Sequence, residues 1–266
     1  MLALIDADIV LHRVCWTTEN EDLGIAKFRA DEMLDGILVD TKATEFQLWF
    51  SDVKENNFRY KLYAPYKANR VVEKPVHYET LKEYLITQWG ARIAFGMEAD
   101  DALGIYQDKI NRTTIIASID KDLLTIPGLH WNFVKQEKTV VSALEALRNF
   151  YAQFLIGDSA DNIKGASGIG PKKAAKILAG LETEEEMFDA VVDTFQRTEK
   201  DWSIEQVLMH IEQIGQVLKI KQKEDEPNWH FPKSKQMTEI LGSLSIQTME
   251  VEIDPSTEPI GAEALG

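Results

Sequence analysis

Apolar and polar residues follow two different patterns along this chain. Through the first two-thirds, short runs rich in β-branched and aromatic residues alternate with longer stretches of helical spacing. The short runs predict strands at 2–5, 45–51, 113–118 and 130–134, and the longer stretches predict helices at roughly 26–40, 76–89 and 98–110. This alternation is typical of a mostly parallel sheet flanked by helices, so the sequence predicts an α/β fold.

Beyond Ser142 the pattern is helical throughout, and no further strand is predicted. Helices are expected at 142–155, 171–181, 184–195 and 203–220. The last of these carries a single apolar stripe, which indicates a helix packed on a core, formed by Ile204, Val207, Leu208, Ile211, Ile214 and Leu218. The predicted organisation is an α/β core over 1–155, a helical region over 156–245 and an acidic, flexible tail over 246–266.

The charge balance argues against a general polyanion binder unless the charges are sorted in space. The 266 residues include 29 Lys and Arg against 44 Asp and Glu, a net charge of −15. From Gln236 onward there are six acids and no Lys or Arg, so part of the acidity lies in the tail. The single cysteine, Cys15, excludes an internal disulfide, and no apolar run is long enough for a membrane span. These features predict a cytoplasmic protein without a membrane partner.

Acidic residues follow the ends of three predicted strands. Asp6, Asp52 and Asp120 each come just after such a run, where open α/β sheets form their ligand crevice. Six further acids belong to the same candidate cluster, namely Glu98, Asp100, Asp101, Asp122, Asp158 and Asp161. Like charges gathered in one crevice are tolerated when cations bind there. Oxygen-only ligands suit Mg²⁺ or Mn²⁺, and this many acids predict two ions, the arrangement that hydrolyses phosphodiesters.

Each acidic group also has a simpler structural interpretation. The run 98–101 could complement the dipole at a helix start, and Asp158 with Asp161 could form a turn. Asp8 is interpreted as a cap of the helix that follows the first strand. It is the conjunction of these groups at one edge of the sheet that favours a metal centre.

Two basic segments predict contacts with nucleic acid. The segment 57–70 contains four basic residues, four aromatic residues and no acid, a composition suited to phosphate contact and base stacking, although an ordinary exposed loop is the alternative. In the second segment, Gly168-Ile169-Gly170-Pro171 predicts a tight turn that opens a helix with free amides. Lys172, Lys173 and Lys176 fall on the solvent side of that helix, as in helix-hairpin-helix contacts with a duplex backbone.

Taken together, these motifs resemble the 5′ nuclease or flap endonuclease family, especially its stand-alone bacteriophage members and the 5′ nuclease domain of bacterial DNA polymerase I. The resemblance extends from Leu2 to about Ile220, and its motifs are Ile5-Asp6, Ser51-Asp52, Glu98-Ala99-Asp100-Asp101, Asp120-Lys121-Asp122, Gly157-Asp158, Asp161-Asn162 and Gly168-Ile169-Gly170-Pro171-Lys172. It implies a PIN-like α/β core followed by a helical helix-three-turn-helix module. It also implies metal-dependent hydrolysis of DNA near 5′ ends, as an exonuclease and on flaps, which leaves a 5′-phosphate and a 3′-hydroxyl.

The resemblance also implies roles for individual residues. The first ion would be surrounded by Asp6, Asp52, Glu98 and Asp100, and the second by Asp101, Asp120, Asp122, Asp158 and Asp161. The catalytic set would be Lys67 and Arg70, which contact the scissile phosphate from an arch at about 57–90, with Asp6, Asp100 and Asp120. DNA contacts would come from Arg59, Lys61, Tyr66 (stacked on a base), Lys67, Arg70, Gly168, Gly170, Lys172, Lys173 and Lys176.

Cofactors and partners follow from the same resemblance. Two divalent cations, Mg²⁺ or Mn²⁺, are expected, with K⁺ at the helix-three-turn-helix turn. The expected substrate is DNA with 5′ ends, flaps or nicks, or an RNA–DNA hybrid. The expected enzyme is a monomer that acts in phage DNA replication or recombination, with replication proteins as partners. Two alternatives stay open: a metal-dependent ribonuclease of related fold, and a non-catalytic protein that binds branched DNA. The glycine turn counts against the first, and the full set of acids counts against the second.

Overall fold

The computed structural model describes residues 1–70, 73–109, 113–234, 237–240 and 242. The predicted tail at 246–266 lies outside the described residues. No helix within the described ranges combines the length and apolar character needed to cross a bilayer.

The centre of the molecule is a six-stranded sheet. Its strands are β1 Leu2–Asp6, β2 Glu45–Ser51, β3 Arg92–Ala94, β4 Thr114–Ala117, β5 Gly128–Asn132 and β6 Glu137–Val141, in the spatial order β3-β2-β1-β4-β5-β6. The first five pair in parallel, and only β6 runs antiparallel to its neighbour β5. The predicted α/β fold with a mostly parallel sheet is therefore confirmed. The strand order reverses between β1 and β4, which is where such sheets place a crevice.

Helices cover both faces of this sheet, as predicted. On one face, Ala3 and Ile5 pack in a cluster with α1 Ala7–Thr17, α2 Leu23–Thr41 and α4 Tyr78–Trp89. On the other face, Leu2 and Leu4 pack with α5 Ala99–Lys109. Successive residues of a strand point to opposite faces, so the fully buried β1 supplies both apolar layers.

The helical region has its own apolar core. It is built from α6 Ala143–Ile156, α7 Pro171–Leu178, α8 Glu184–Thr198 and α9 Ile204–Leu218. The apolar stripe predicted for α9 packs into this core, where Ile211 and Ile214 have no exposed surface. Capping boxes begin α6, α8 and α9, because Ser142, Thr183 and Ser203 each accept a hydrogen bond from the third helical residue.

Some elements differ from the sequence prediction. The prediction that no strand follows Ser142 was wrong, since β7 Gly157–Asp158 and β8 Ile163–Lys164 form a small hairpin. Two residues in each strand are too few to show a periodicity. The sequence also missed β3, which has three residues, and β6, whose mostly exposed residues give no alternation. Within the segment 57–70, a short helix α3 occupies Phe58–Leu62.

Candidate metal centre and nucleic-acid interface

A cleft of about 630 Å³ opens at the carboxyl ends of the parallel strands. All but one of the carboxylates predicted as metal ligands line it: Asp6, Asp52, Glu98, Asp100, Asp120, Asp122, Asp158 and Asp161. Lys67 and Arg70 line the same cleft. The fold thus brings acids from widely separated parts of the chain to one place, together with two cations.

Asp6 occupies the centre of this cleft wall, as the last residue of β1 and the N-cap of α1. Its Oδ1 accepts a hydrogen bond from the Ile9 amide at 3.1 Å, and its Oδ2 accepts one from the Ser118 hydroxyl at 2.9 Å. Burial, followed by repulsion from Asp8, raises the pKa of Asp6 to about 7. A carboxylate held this firmly beside like charges would be stabilised by a bound cation.

Asp8 is a cleft residue that the sequence interpretation placed wrongly. It was expected to cap the helix after the first strand, but Asp6 makes that cap. Asp8 instead accepts a hydrogen bond from the Ser51 amide at 2.8 Å and lines the cleft. The sequence did hold a signal, because a helix that starts directly after a strand takes the last strand residue as its cap.

Asp100, Asp120 and Asp122 also line the cleft. Burial, then repulsion from Asp6 and Asp120, raises the pKa of Asp100 well above its usual value. Burial and the charge of Asp120 raise the pKa of Asp122 to about 6. Gln153, which the sequence analysis did not single out, donates a hydrogen bond to Asp122 Oδ1 at 2.9 Å. These raised pKa values reflect carboxylates that repel one another in a partly dehydrated space.

Asp52 lies at the end of β2 on the cleft wall. Its Oδ2 accepts a hydrogen bond from the Gly96 amide at 2.7 Å, and its Oδ1 accepts bonds from the Val53 amide and the Asn56 side chain. The Gly96 bond is the main reason that the pKa of Asp52 is lowered. Asp52 is therefore ionised and held by the loops that close this edge.

Glu98 and Asp161 form ion pairs with Lys67 and Arg70, two of the cations that line the cleft. Lys67 Nζ lies 2.6 Å from Glu98 Oε1 and 3.7 Å from Asp161 Oδ2, and the Arg70 guanidinium lies 2.5 Å from Asp161 Oδ1. Burial opposes ionisation of Glu98, but the charges of Arg59 and Lys67 outweigh it and lower its pKa. The predicted phosphate-binding cations thus lie directly beside predicted metal ligands.

Two predicted roles are contradicted by a buried ion pair. Asp101 has no exposed surface, does not line the cleft, and accepts hydrogen bonds from both terminal nitrogens of Arg59. Its oxygens also accept bonds from the Glu98 amide at 3.1 Å and the Lys221 amide at 2.9 Å. Arg59, only 1% exposed, donates as well to the Val217 carbonyl. The predicted metal role of Asp101 and the predicted DNA contact of Arg59 were therefore wrong, because the two side chains form a buried ion pair with each other.

Tyr66 is also placed differently from its prediction. It was expected to stack on a base, yet only 2% of its surface is exposed and its ring packs edge-on against Tyr60 at 5.3 Å between centroids. Its hydroxyl donates to Glu98 Oε2 at 2.9 Å. Tyr66 therefore orients Glu98 through this hydrogen bond. Because its ring is buried, it is not available to stack on a base, and the stacking prediction was wrong.

The glycine turn and α7 form a basic surface apart from the cleft. Gly168 has φ +72°, a conformation that favours glycine, and Gly170 precedes Pro171 at the first position of α7. Ala174 and Leu178 of α7 face the core. Four of the five lysines predicted to bind DNA are exposed, namely Lys61 on α3 and Lys172, Lys173 and Lys176 on α7. This exposure leaves their charges available to a polyanion.

The cleft residues fit an oxygen-binding cation. Among the described residues, no three His, Cys, Asp or Glu side chains already lie close enough together to share one metal ion. The donors are nonetheless all carboxylates, the ligands that Mg²⁺ and Mn²⁺ prefer. A divalent cation would also offset the repulsion that raises the pKa values of Asp6, Asp100 and Asp122.

Comparison with known proteins gives consistent results. Residues 1–152 match the family described as 5′-3′ exonuclease, N-terminal resolvase-like domain. A 5′-3′ exonuclease of Mycoplasma pneumoniae is 30% identical over 57% of this chain and 59% of its own length. The flap endonuclease Xni of Shewanella putrefaciens is 33% identical over 54% of this chain and 60% of its own length. The chain thus spans about three fifths of these curated relatives.

Solved structures support the fold. The crystal structure of T5 5′-exonuclease with bound zinc superposes with a TM-score of 0.58 at 16% identity, over 82% of this chain and 94% of the T5 chain. A T5 flap endonuclease in complex with DNA and metal ions gives a TM-score of 0.52 at 16% identity, over the same shares. At these identities the matches show a shared fold.

Proposed function

The chain belongs to the 5′-3′ exonuclease N-terminal domain family, since the family match covers more than half of it, and on that premise we propose a metal-dependent 5′ nuclease. It hydrolyses DNA phosphodiesters near 5′ ends and at 5′ flaps, leaving a 5′-phosphate and a 3′-hydroxyl. The observation that carries the proposal is the cleft in which acids from five separate strand or helix ends lie together with Lys67 and Arg70.

We assign the carboxylates to two divalent cations, Mg²⁺ or Mn²⁺. The proposed ligands are Asp6, Asp52, Glu98 and Asp100 for one, and Asp120, Asp122, Asp158 and Asp161 for the other. When bound, such ions lower the pKa of a water nucleophile and offset charge on the phosphate. Asp101 is left out because it is saturated by Arg59.

The protein's own cations complete the proposed site. Lys67 and Arg70 would exchange their carboxylate partners for the scissile phosphate, where charge increases in the transition state. Exposed lysines on α7 would bind the duplex backbone at a second place, outside the cleft. Carbonyl oxygens of the glycine turn are candidate K⁺ ligands; the carbonyl of Gly168 accepts a hydrogen bond from Lys173 Nζ at 2.8 Å.

We expect a monomer that processes 5′ ends, flaps or nicks during replication or recombination, with RNA–DNA hybrids as a further substrate. Similarity to enzymes named 5′-3′ exonuclease and flap endonuclease supports 5′ ends and flaps as substrates. The one cysteine, Cys15, is free and buried, in keeping with a reducing cytoplasm.

A cleavage assay tests the proposal. DNA labelled at the 5′ end is offered as a flap, a blunt duplex and a single strand, with Mg²⁺, Mn²⁺ or chelator. Asp120→Asn should abolish cleavage but retain DNA binding, while Asp40→Asn, on the exposed side of α2, should cleave like the wild type. Tight flap binding without cleavage by the wild type would favour the non-catalytic alternative, and cleavage of RNA alone would favour a ribonuclease.

A further inference from the structure

Two distant segments meet at the rim of the cleft. We call residues 65–70 the arch base and residues 159–162, which connect β7 to β8, the hairpin loop. The Lys67 amide donates to the Asp161 carbonyl at 2.9 Å, so the two backbones are in direct contact. The arch base contains the cleft residues Lys67 and Arg70, and the hairpin loop contains Asp161.

Two asparagine side chains connect these segments reciprocally. Asn69 of the arch base donates from Nδ2 to the Ser159 carbonyl at 2.8 Å. Asn162 of the hairpin loop donates from Nδ2 to the Pro65 carbonyl at 2.9 Å. Each amide therefore satisfies a backbone acceptor about 90 residues away in sequence. Hydrogen bonds to backbone carbonyls fix the position of a chain segment rather than of one flexible side chain.

Both asparagines lie outside the lining of the cleft, next to residues that line it. Neither Asn69 nor Asn162 lines the cleft, and both are exposed, so burial does not impose their conformations. Asn162 adopts φ +57°, a left-handed conformation that asparagine tolerates better than most residues. The sequence therefore places at this turn a residue that both accepts the backbone geometry and supplies the donor.

The ion pairs alone cannot maintain this geometry during the proposed reaction. Lys67 and Arg70 must leave Asp161 when they turn to a phosphate, and a bound metal would compete for the same carboxylate. The hydrogen bonds that the Asn69 and Asn162 side-chain amides donate involve no charged group, so they can persist through that exchange. They are thus suited to hold the two segments at a fixed distance while the charges change partners.

We propose that Asn69 and Asn162 are positioning residues that hold the arch base against the hairpin loop, and so place Lys67 and Arg70 over the metal carboxylates. This inference rests on the proposed nuclease function for its catalytic consequence. Its structural part, the mutual dependence of the two segments, stands independently of catalysis.

The first test measures hydrogen exchange in Asn69→Asp and Asn162→Asp. Each change keeps the size of the side chain but replaces the donating amide with an oxygen that faces a carbonyl. We expect substitution in either segment to speed exchange in both, because opening one releases the other. Faster exchange only in the substituted segment would overturn the proposal. Asn132→Asp is the matched control, since Asn132 only accepts hydrogen bonds, from the Val134 and Lys135 amides.

The second test measures single-turnover cleavage in wild-type and Arg70→Ala backgrounds. Misplacement of catalytic groups by about 1 Å can cost about 100-fold in rate, so we expect a loss of at least tenfold for Asn69→Asp in the wild type. In the Arg70→Ala background the same change should cost markedly less, because one of the two groups that it positions is gone. Equal losses in both backgrounds would overturn the positioning role. A wild type that cleaves nothing would refute the proposed function and leave the exchange result to judge the contact between the segments.

Discussion

Arg59 and Asp101 form a buried, two-pronged ion pair between α3 and the first turn of α5, with 2.8 Å between Arg59 Nη2 and Asp101 Oδ1. The same guanidinium donates to the Val217 and Lys219 carbonyls at the end of α9. The pair therefore attaches the helical region to the α/β core beside Glu98, whose Oε2 lies 3.9 Å from Arg59 Nη1. Its two charges compensate each other in the interior, where an unpaired charge would be costly.

The first prediction concerns this pair. Asp101→Asn should lower the free energy of unfolding by about 3–5 kcal/mol, because it leaves Arg59 buried without its counter-charge. Glu32→Gln, which breaks an exposed pair with Arg29, should cost at most about 1 kcal/mol. Denaturant unfolding of the three proteins measures both values. A bound metal should also raise the melting temperature when Mg²⁺ is added. If Asp101→Asn kept full stability but lost this rise, Asp101 would be a metal ligand after all.

The second prediction separates stability from metal binding at Asp100. Without metal, Asp100→Asn should be more stable than the wild type, because it removes a buried charge that Asp6 and Asp120 repel. With Mg²⁺ at 100 times its dissociation constant, the wild type should gain about 2.7 kcal/mol and the variant much less. Thermal melting with chelator and with Mg²⁺ tests this. An equal Mg²⁺ gain in both proteins would remove Asp100 from the metal site.

The sequence predicted the sheet and the acidic cleft because both depend on local features. Buried strands such as β1 are continuous apolar runs, and the acids that follow them share one edge by topology alone. Ion pairs and hydrogen bonds between residues far apart in the sequence could not be predicted in the same way. Nothing in the segment 57–70 distinguishes Arg59, which is buried, from Lys61, which is exposed, until a partner such as Asp101 is placed by the fold.

The sequence analysis missed the short strands for a different reason. The hairpin of β7 and β8 has too few residues for any period, and its existence depends on the contacts around it. Its loop brings Asn162 to Pro65 of the arch base, a contact that no local pattern encodes. Strand positions and the family resemblance were thus sufficient to predict most of the charged residues that line the cleft, whereas the neutral amides that connect its segments required the three-dimensional structure.

The third prediction is a pH dependence at His130. This side chain is 6% exposed, with Nε2 2.8 Å from the Ile126 carbonyl, and burial lowers its pKa from 6.5 despite that hydrogen bond. A lowered pKa in the folded state means that its contribution to stability is present above about pH 6.5 and is lost at lower pH. His130→Gln should therefore lose less stability than the wild type between pH 7.5 and 5.5. Identical curves for the wild type and His130→Gln would contradict the prediction.

The fourth prediction tests whether α7 contacts a duplex backbone. Lys172 and Lys176 are four residues apart and exposed on one side of the helix. Each phosphate contact contributes about 0.9 to the slope of log affinity against log salt, so replacing both by Ala should reduce the slope by about 2. Lys135 and Lys138, exposed near the turn between β5 and β6, provide the matched double-alanine control. A slope reduced equally by both doubles would indicate a general charge effect, and a slope reduced only by the control would place the DNA near the turn between β5 and β6 instead of on α7.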